Sequence, residues 1–329
     1  MPYMMPGDVH VNRPLSQVMV AYGQQTTEFI ADKVFPNVPV DKQTDFYYKM
    51  GRRSFLQTNM QKRAPRTETP GVEWNQTKDT YAADVWGLHH DIEDQFRASA
   101  DENWNLDRTG TELITQQALL RREKEWISSF FGTGIWSTDL AGVAAAPNAA
   151  QFIQFDQAAS SPIKTFIAAR RSFHRRTGVK PNTIVFGPEV WDTMMNHPEF
   201  VDRIKYTTAG FVTEQIVAKA IGVEHIYVAE AVEATELGDE LLADVTPATQ
   251  YLAGKSFLLC YTAPRPSRDV PSAGYTFSWK GYLGASAWGG RIKKFRNELI
   301  ASDRIEIEMA YDQKVVAPEL GAFYSAAIA

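Results

Sequence analysis

Few residues in this 329-residue chain are suited to chemistry, and none completes a catalytic spacing. Ser161 and Lys164 stand three apart, as a serine nucleophile and a lysine base would on one helical turn. Ser161 also directly precedes Pro162 and a helix-patterned run, so its hydroxyl reads as a helix cap. His89, His90 and Asp91 carry metal-binding groups, but neighbours on a strand point to opposite faces and cannot jointly hold one ion. Gly254, Lys255 and Ser256 resemble the end of a phosphate-binding loop, yet Thr249 stands where its first glycine is required. His10, His174, His197 and His225 are scattered, and no zinc or dinucleotide spacing occurs. The single cysteine, Cys260, follows the apolar run Phe257, Leu258 and Leu259, which suits a buried reduced thiol and a reducing cytoplasm. A glycosylation sequon at Asn75 has no meaning without secretion. These residues point away from an enzyme and imply no cofactor and no metal.

The elements that must position these side chains are more informative. A helix-patterned segment spans residues 99–131, with Ser99 and Glu102 at capping-box spacing. Leu106, Leu113, Leu120 and Ile127 recur every seven residues and predict one buried seam; Phe130 and Phe131 widen it, and Gly132 and Gly134 supply a stop. At about 1.5 Å per residue this is a rod of roughly 50 Å. Gly110 weakens it, because an interior glycine costs about 1 kcal/mol relative to alanine. Before the helix the chain is mostly extended. Residues 1–40 carry Pro2, Pro6, Pro14, Pro36 and Pro39, which favours an arm lying along other surfaces, with a short helix somewhere in 15–35. Residues 44–50 (Phe46, Tyr47, Tyr48) and 72–92 (Trp74, Tyr81, Val85, Trp86) predict the two sides of a long β-hairpin.

Charge is unevenly placed on this framework. Residues 49–66 contain Lys49, Arg52, Arg53, Lys62, Arg63 and Arg66 and no acid. Residues 230–244 contain Glu230, Glu233, Glu236, Asp239, Glu240 and Asp244 and no lysine or arginine. Both stretches read as solvated loops, or as complementary contacts between neighbouring copies of the chain. The basic helix positions Arg121, Arg122 and Lys124 read as a solvated or interface face, or as a face toward DNA. A net charge of −5 and a pI near 5.8 oppose a surface that wraps nucleic acid as a whole. No apolar stretch reaches the roughly 18 residues of a membrane span, and nothing marks the chain for export.

After Gly134 the pattern becomes compact. A helix is predicted over 163–177, with Phe166, Ile167 and Phe173 inward and Arg170, Arg171, Arg175 and Arg176 outward, started by Ser160 or Ser161. A buried strand at 183–186, a helix bearing Val190, Trp191, Met194 and Met195, a helix at 213–221 and a strand at 225–228 follow. Strands are then predicted at 256–261, 275–279, 304–310 and 313–317, the third alternating Ile305, Ile307 and Met309 with Glu306 and Glu308. The fold class is mixed α+β.

The run 140–147 (LAGVAAAP), the helix 163–177, the segments 181–188 (PNTIVFGP) and 190–206 (VWDTMMNHPEFVDRIKY), and the helix 213–223 together resemble major capsid proteins of tailed double-stranded DNA bacteriophages, which have the Hong Kong 97-type shell fold. The resemblance implies an N-terminal arm over 1–40, an extended loop over 41–98, a spine helix and first part of a peripheral domain over 99–180, an axial domain over 181–262 and the rest of the peripheral domain over 263–329. It further implies hexamers and pentamers of the chain itself, closing as a virion shell around double-stranded DNA after assembly in the host bacterial cytoplasm. A separate scaffolding protein, a portal and a decoration protein are the implied partners, with no membrane. Self-cleavage is not expected, and no lysine–asparagine crosslink partners can be aligned. The alternatives are an encapsulin-type compartment, whose members tend to replace the extended arm with a helix, and a soluble cytoplasmic α/β enzyme with a pocket of converging titratable groups.

Overall fold

The computed structural model describes residues 29–51, 56–73, 76–100, 105–204, 213–235, 248–266, 270–283 and 290–329. In chain order the described elements are α1 (Ala31–Val34), β1 (Asn37–Val40), β2 (Thr44–Met50), β3 (Gln76–Ala82), β4 (Asp84–Glu93), α2 (Asp94–Ser99), α3 (Leu106–Phe130), β5 (Asp139–Val143), β6 (Gln151–Ile153), α4 (Pro162–Thr177), β7 (Thr183–Phe186), α5 (Pro188–Asn196), α6 (Pro198–Ile204) and α7 (Glu214–Ile221). They continue with β8 (His225–Val228), β9 (Val232–Ala234), β10 (Thr249–Tyr251), β11 (Phe257–Cys260), β12 (Gly274–Trp279), α8 (Lys280–Leu283), β13 (Gly290–Asn297), β14 (Ser302–Val315) and β15 (Gly321–Ser325).

Two sheets organise the molecule. A six-stranded mixed sheet runs β6-β5-β15-β11-β7-β8, so the C-terminal strand β15 lies in its interior, parallel to β5 and antiparallel to β11. Every residue of β7 and β11 is buried, as expected of short apolar strands covered on both faces. Phe152, Phe155, Phe166, Phe186, Phe257 and Tyr324 pack in one aromatic cluster of this core; Phe257 and Tyr324 stack at 4.4 Å. In the second sheet β14 is central, flanked by β13 and β4 and, at its far end, by β12, which also pairs in parallel with β1. Residues 304–310 and 313–317, expected as two strands, belong to the single strand β14 and the turn after it. Ile305, Ile307, Met309 and Tyr311 face α3.

The long helix is shorter than its pattern. α3 has 25 residues and is capped by Asn105, whose side chain accepts from the Arg108 amide; the preceding turn is the separate helix α2. Ser99 does not cap α3, since its hydroxyl donates to Gln95 O inside α2, and Glu102 lies outside the described residues. The seven-residue seam is also not the buried one: Leu113 is 48% exposed, whereas Leu106, Gly110, Ile114, Ala118, Arg122 and Trp126 are buried at four-residue steps. Each such step advances about 40° around the helix, so the buried face turns along its length. That turn lets α3 pack on β14 at one end and enter the six-stranded core through Trp126 and Ile127 at the other.

The hairpin forms in register Thr44↔Ala82 to Met50↔Gln76. Its second strand ends at Ala82, and residues 84–92, expected to belong to it, pair instead with β14. In α4, Ile163, Phe166, Ala169 and Phe173 are buried, but Ile167 is 37% exposed. Arg170 and Arg176 do not simply face water: Arg170 donates to Ile221 O and Gly222 O, and Arg176 to Glu319 O and Gly321 O.

Candidate assembly surfaces

The hairpin β2–β3 has two unlike faces because side chains alternate along a strand. Tyr47 and Tyr81 point inward, 3% and 0% exposed, and lie 5.4 and 4.8 Å from the Phe277 ring of β12. This contact anchors the base of the hairpin to the second sheet. Phe46 and Tyr48 point away and stay more than half exposed, with Lys78 Nζ 6.0 and 5.6 Å from their ring centroids. Every described residue from 56 to 73 is exposed, including Leu56, Met60 and Val72.

Of the predicted basic contacts, Lys49 is satisfied within the hairpin. Its ammonium lies 2.6 Å from Asp79 Oδ2, a carboxylate that also accepts from the Tyr47 hydroxyl at 3.0 Å. Lys49 therefore holds Asp79 below the usual carboxylate range. Lys62, Arg63 and Arg66 lie on the exposed tip; Arg63 reaches Thr69 Oγ1 at 3.4 Å, and Arg66 closes a turn with φ of 67°. Arg52 and Arg53 lie outside the described residues. On the acidic side, Glu230 is exposed, Glu233 accepts from Lys124 of α3, and Glu236, Asp239, Glu240 and Asp244 lie outside the described residues. The structure brings none of these described basic and acidic residues together within one chain.

Of the three basic positions of α3, Arg122 is buried, while Arg121 and Lys124 stay exposed. Arg122 is 2% exposed, paired with Asp32 and seated 5.3 Å over the Tyr311 ring, which rules out a face toward solvent or DNA for this residue. Arg121 lies 4.5 Å over Trp86. Beside them Glu123 Oε2 accepts the amides of Ile30 at 3.0 Å and Ala31 at 2.8 Å, which caps α1. Neither Asp32 nor Glu123 stands out in the sequence as a functional residue. The signal for the cluster was Arg122 falling on the same four-residue row as Ala118 and Trp126.

The face of the second sheet turned away from α3 carries a ladder of ion pairs. Arg304 binds Asp91 through two 2.7 Å contacts, Arg291 lies 2.6 Å from Glu308, and Lys293 lies 2.7 Å from Glu308. His89 shares this face, 3.7 Å from Asp91, whereas His90 lies on the α3 side against Gly110; the alternation that separates them is the one expected. No group of three metal-binding side chains occurs among the described residues.

The enzyme-like spacings resolve into structural contacts. Ser161 is the N-cap residue of α4 but makes no capping bond; its hydroxyl donates to Glu199, whose other oxygen accepts the Ile163 amide at 3.0 Å. Glu199 is the cap, contrary to expectation, because the chain returns through α6 beside the start of α4. Ser160 Oγ lies 3.0 Å from His197 Nε2, but His197 Nδ1 accepts the Glu199 amide, so the ring proton sits on Nε2 and is donated to the serine. Ser160 in turn donates to Phe155 O, which leaves it without a base. A cleft of ≈ 240 Å³ between α3 and β4 is lined by Trp86, Leu88, Ala118, Ile307, Met309 and Arg121, and Arg121 is its one charged group among the described residues. Cys260 is buried, and burial pushes its thiol up to about 12, as expected of an inert reduced cysteine. No helix among the described residues is long and apolar enough to cross a membrane.

Known proteins match along nearly the whole of this architecture. No family model matches the chain. The major capsid protein of Burkholderia phage BcepMu is 26% identical over 278 residues, covering 80% of this chain and 82% of the relative. The major capsid protein of Pseudomonas phage JBD67 is 22% identical over 324 residues, 97% of each chain. Among solved structures, a phage-related protein of Bordetella bronchiseptica RB50 superposes with a TM-score of 0.68 at 21% identity, covering 92% of this chain and 93% of the other. The capsid of cyanophage P-SCSP1u gives 0.61 at 11% identity over 97% and 93%, and an encapsulin complex of Synechococcus elongatus PCC 7942 gives 0.53 at 11% over 99% and 96%. The chain has the mixed α+β shell fold of the Hong Kong 97 type. Within that class it is a homologue of phage major capsid proteins, which are structural proteins.

Proposed function

We propose that copies of this chain assemble as hexamers and pentamers into the icosahedral head shell of a phage, enclosing double-stranded DNA. The observation that carries this reading is the hairpin β2–β3. Its inner face is anchored on Phe277, while Phe46, Tyr48 and the whole described tip remain uncovered by the chain that makes them. A basic, aromatic arm of this kind has the composition of a contact surface and extends the interface beyond what a compact body could bury. In the shell, residues 41–98 act as the extended loop and α3 as the spine helix. Residues 181–262 form the axial domain, and 99–180 with 263–329 form the peripheral domain.

The exposed Lys62, Arg63 and Arg66 meet the acidic stretch 230–244 of a neighbouring copy, a pairing that sets register and speeds docking. The structural relatives and the structural contacts made by Ser160, Ser161, His197 and Asp91 support a protein without turnover. A separate scaffolding protein, a portal, a decoration protein and the packaged genome complete the proposed partners, with assembly in the host bacterial cytoplasm.

Light scattering and negative-stain microscopy of the purified chain, alone and with a candidate scaffolding protein, test this reading. Closed particles, or rings that close when the partner is added, support it, and a monodisperse monomer under both conditions overturns it. The encapsulin likeness reports the fold alone, so the particle contents separate the two kinds of shell. Double-stranded DNA supports a phage head, and a protein cargo a compartment.

A further inference from the structure

Charged side chains rarely enter a core unless paired, yet α3 carries Arg122 and Glu123 side by side at 2% and 1% exposure, both directed at α1. Glu123 Oε2 holds the two amides that begin α1, while its Oε1 is buried and has no hydrogen-bond partner among the described residues. Asp32 brings a second carboxylate into the same space and pairs with Arg122. The other charged or titratable groups facing the site are Lys33 of α1, whose ammonium lies 5.6 Å over the Tyr227 ring, and Tyr311 of β14, bonded to Glu125 at 2.8 Å. Two carboxylates therefore stand beside one buried guanidinium. A cleft of ≈ 170 Å³ bordered by Phe29, Lys33, Leu119 and Glu123 gives water and protons a route to the Glu123 carboxyl.

We propose that Glu123 is a proton-operated clasp: its neutral carboxyl holds residues 29–35 on α3, and its ionisation loosens that segment. Oε1, which has no partner among the described residues, is the atom that carries the proton, and Oε2 continues to accept both amides in either state. Burial raises the Glu123 pKa from 4.5 to about 7, an effect the two amides oppose and the Asp32 charge reinforces. An acid whose pKa is higher in the docked state binds more protons there, so docking is strongest below about 4.5 and is lost progressively as pH rises to and through about 7. The clasp belongs to the single chain and operates whether or not shells form.

Hydrogen exchange of the Ile30 and Ala31 amides in the full chain, corrected for intrinsic exchange, reads the clasp directly. Between pH 5 and pH 8 their protection falls on the order of tenfold or more in the native protein. Glu123→Gln keeps an acceptor for the amides and removes the titration, so its protection stays level over the same range. Asp32→Asn removes the neighbouring negative charge and moves the midpoint of the native curve to lower pH. Protection independent of pH in the native chain, or an unchanged pH dependence in Glu123→Gln, overturns the proposal. If Glu123→Gln does not fold, the carboxyl carbon shift of labelled Glu123 decides: a midpoint near 7 supports the clasp and one near 4.5 refutes it.

Discussion

Gly110 of α3 lies against the imidazole of His90 on β4, so close that a Cβ at position 110 would stand 2.8 Å from His90 Cδ2 and 3.5 Å from Ile305 Cδ1. The helix axis approaches the sheet at the one position where a side chain is absent. Sequence pattern counts this glycine as a cost of about 1 kcal/mol; packing reverses the account, because a methyl forced into a filled contact costs about 1–3 kcal/mol. Gly110→Ala is therefore expected to lose about 1 kcal/mol in urea unfolding despite its better helix propensity. In a His90→Ala background the same change is expected to be neutral or stabilising. A Gly110→Ala protein more stable than the parent would show that His90 yields and that the close approach is not enforced.

Glu199, not Ser161, satisfies the start of α4, accepting the Ile163 amide with one oxygen and the Ser161 hydroxyl with the other. Glu199→Ala leaves an amide without a partner and is expected to cost about 1–2 kcal/mol. Ser161→Ala retains the Ile163 bond and is expected to cost a few tenths. Thermal unfolding of the two variants gives the order, and a larger loss in Ser161→Ala would restore the serine as the cap.

These two sites mark where sequence was and was not sufficient. Apolar runs with strong local signals, such as 183–186, 225–228 and 257–260, appear as strands within a residue of their expected bounds; burial of every residue leaves 183–186 and 257–260 little alternative, while 225–228 is the half-buried edge strand beside β7. The alternation of Ile305, Ile307 and Met309 likewise identified the face that meets α3. What was not legible depends on partners remote in sequence. Residues 84–93 left the hairpin because β14, more than two hundred residues later, offers ten paired positions, from Ser302↔Glu93 to Tyr311↔Asp84. The helix seam turned from a seven-residue to a four-residue row because α3 serves two cores. Among the candidate contact residues, the exposed placement of Lys62, Arg63 and Arg66 was legible from a mostly polar stretch punctuated by Pro65, Pro70 and Gly71. The internal capture of Lys49 by Asp79 and of Glu233 by Lys124 required the fold.

Asp107 joins three elements at the start of α3. It lies 2.9 Å from Arg97 of α2 and 2.8 Å from Lys294 of β13, and the Arg97 hydrogen bond, followed by that of Lys294, holds its carboxyl at about 2. A depressed carboxylate contributes stability above its unfolded pKa of 3.8 and loses it as pH falls toward about 2. Because the side chain is 37% exposed, screening limits the contribution to about 1 kcal/mol or less. Asp107→Asn is expected to lower the melting temperature at pH 7 by a few degrees at most, and to match the parent near pH 2. The same deficit at both pH values in Asp107→Asn would mean that the loss comes from packing and not from charge.

The hairpin offers a sharper separation between folding and assembly. Phe46 and Tyr48 face away from the body while Tyr47, between them, is 3% exposed, so neighbouring residues on one strand have opposite duties. Replacing Phe46 and Tyr48 with serine removes their Lys78 contacts but no ring–ring packing among the described residues, and is expected to leave the melting temperature nearly unchanged while sharply reducing closed particles. Tyr47→Ala deletes the contact with Phe277 and is expected to cost about 2–4 kcal/mol of subunit stability. Reversing Lys62, Arg63 and Arg66 to glutamate places like charge opposite the acidic stretch 230–244 of the adjoining copy. Particle formation at low salt is then expected to fail with the subunit still folded, and added salt to recover part of it as the repulsion is screened. Normal particles from the glutamate variant would remove charge docking from the assembly scheme and leave the aromatic face as the contact that matters. Normal particles from the serine variant as well would mean that this hairpin is not the arm by which neighbouring subunits hold one another.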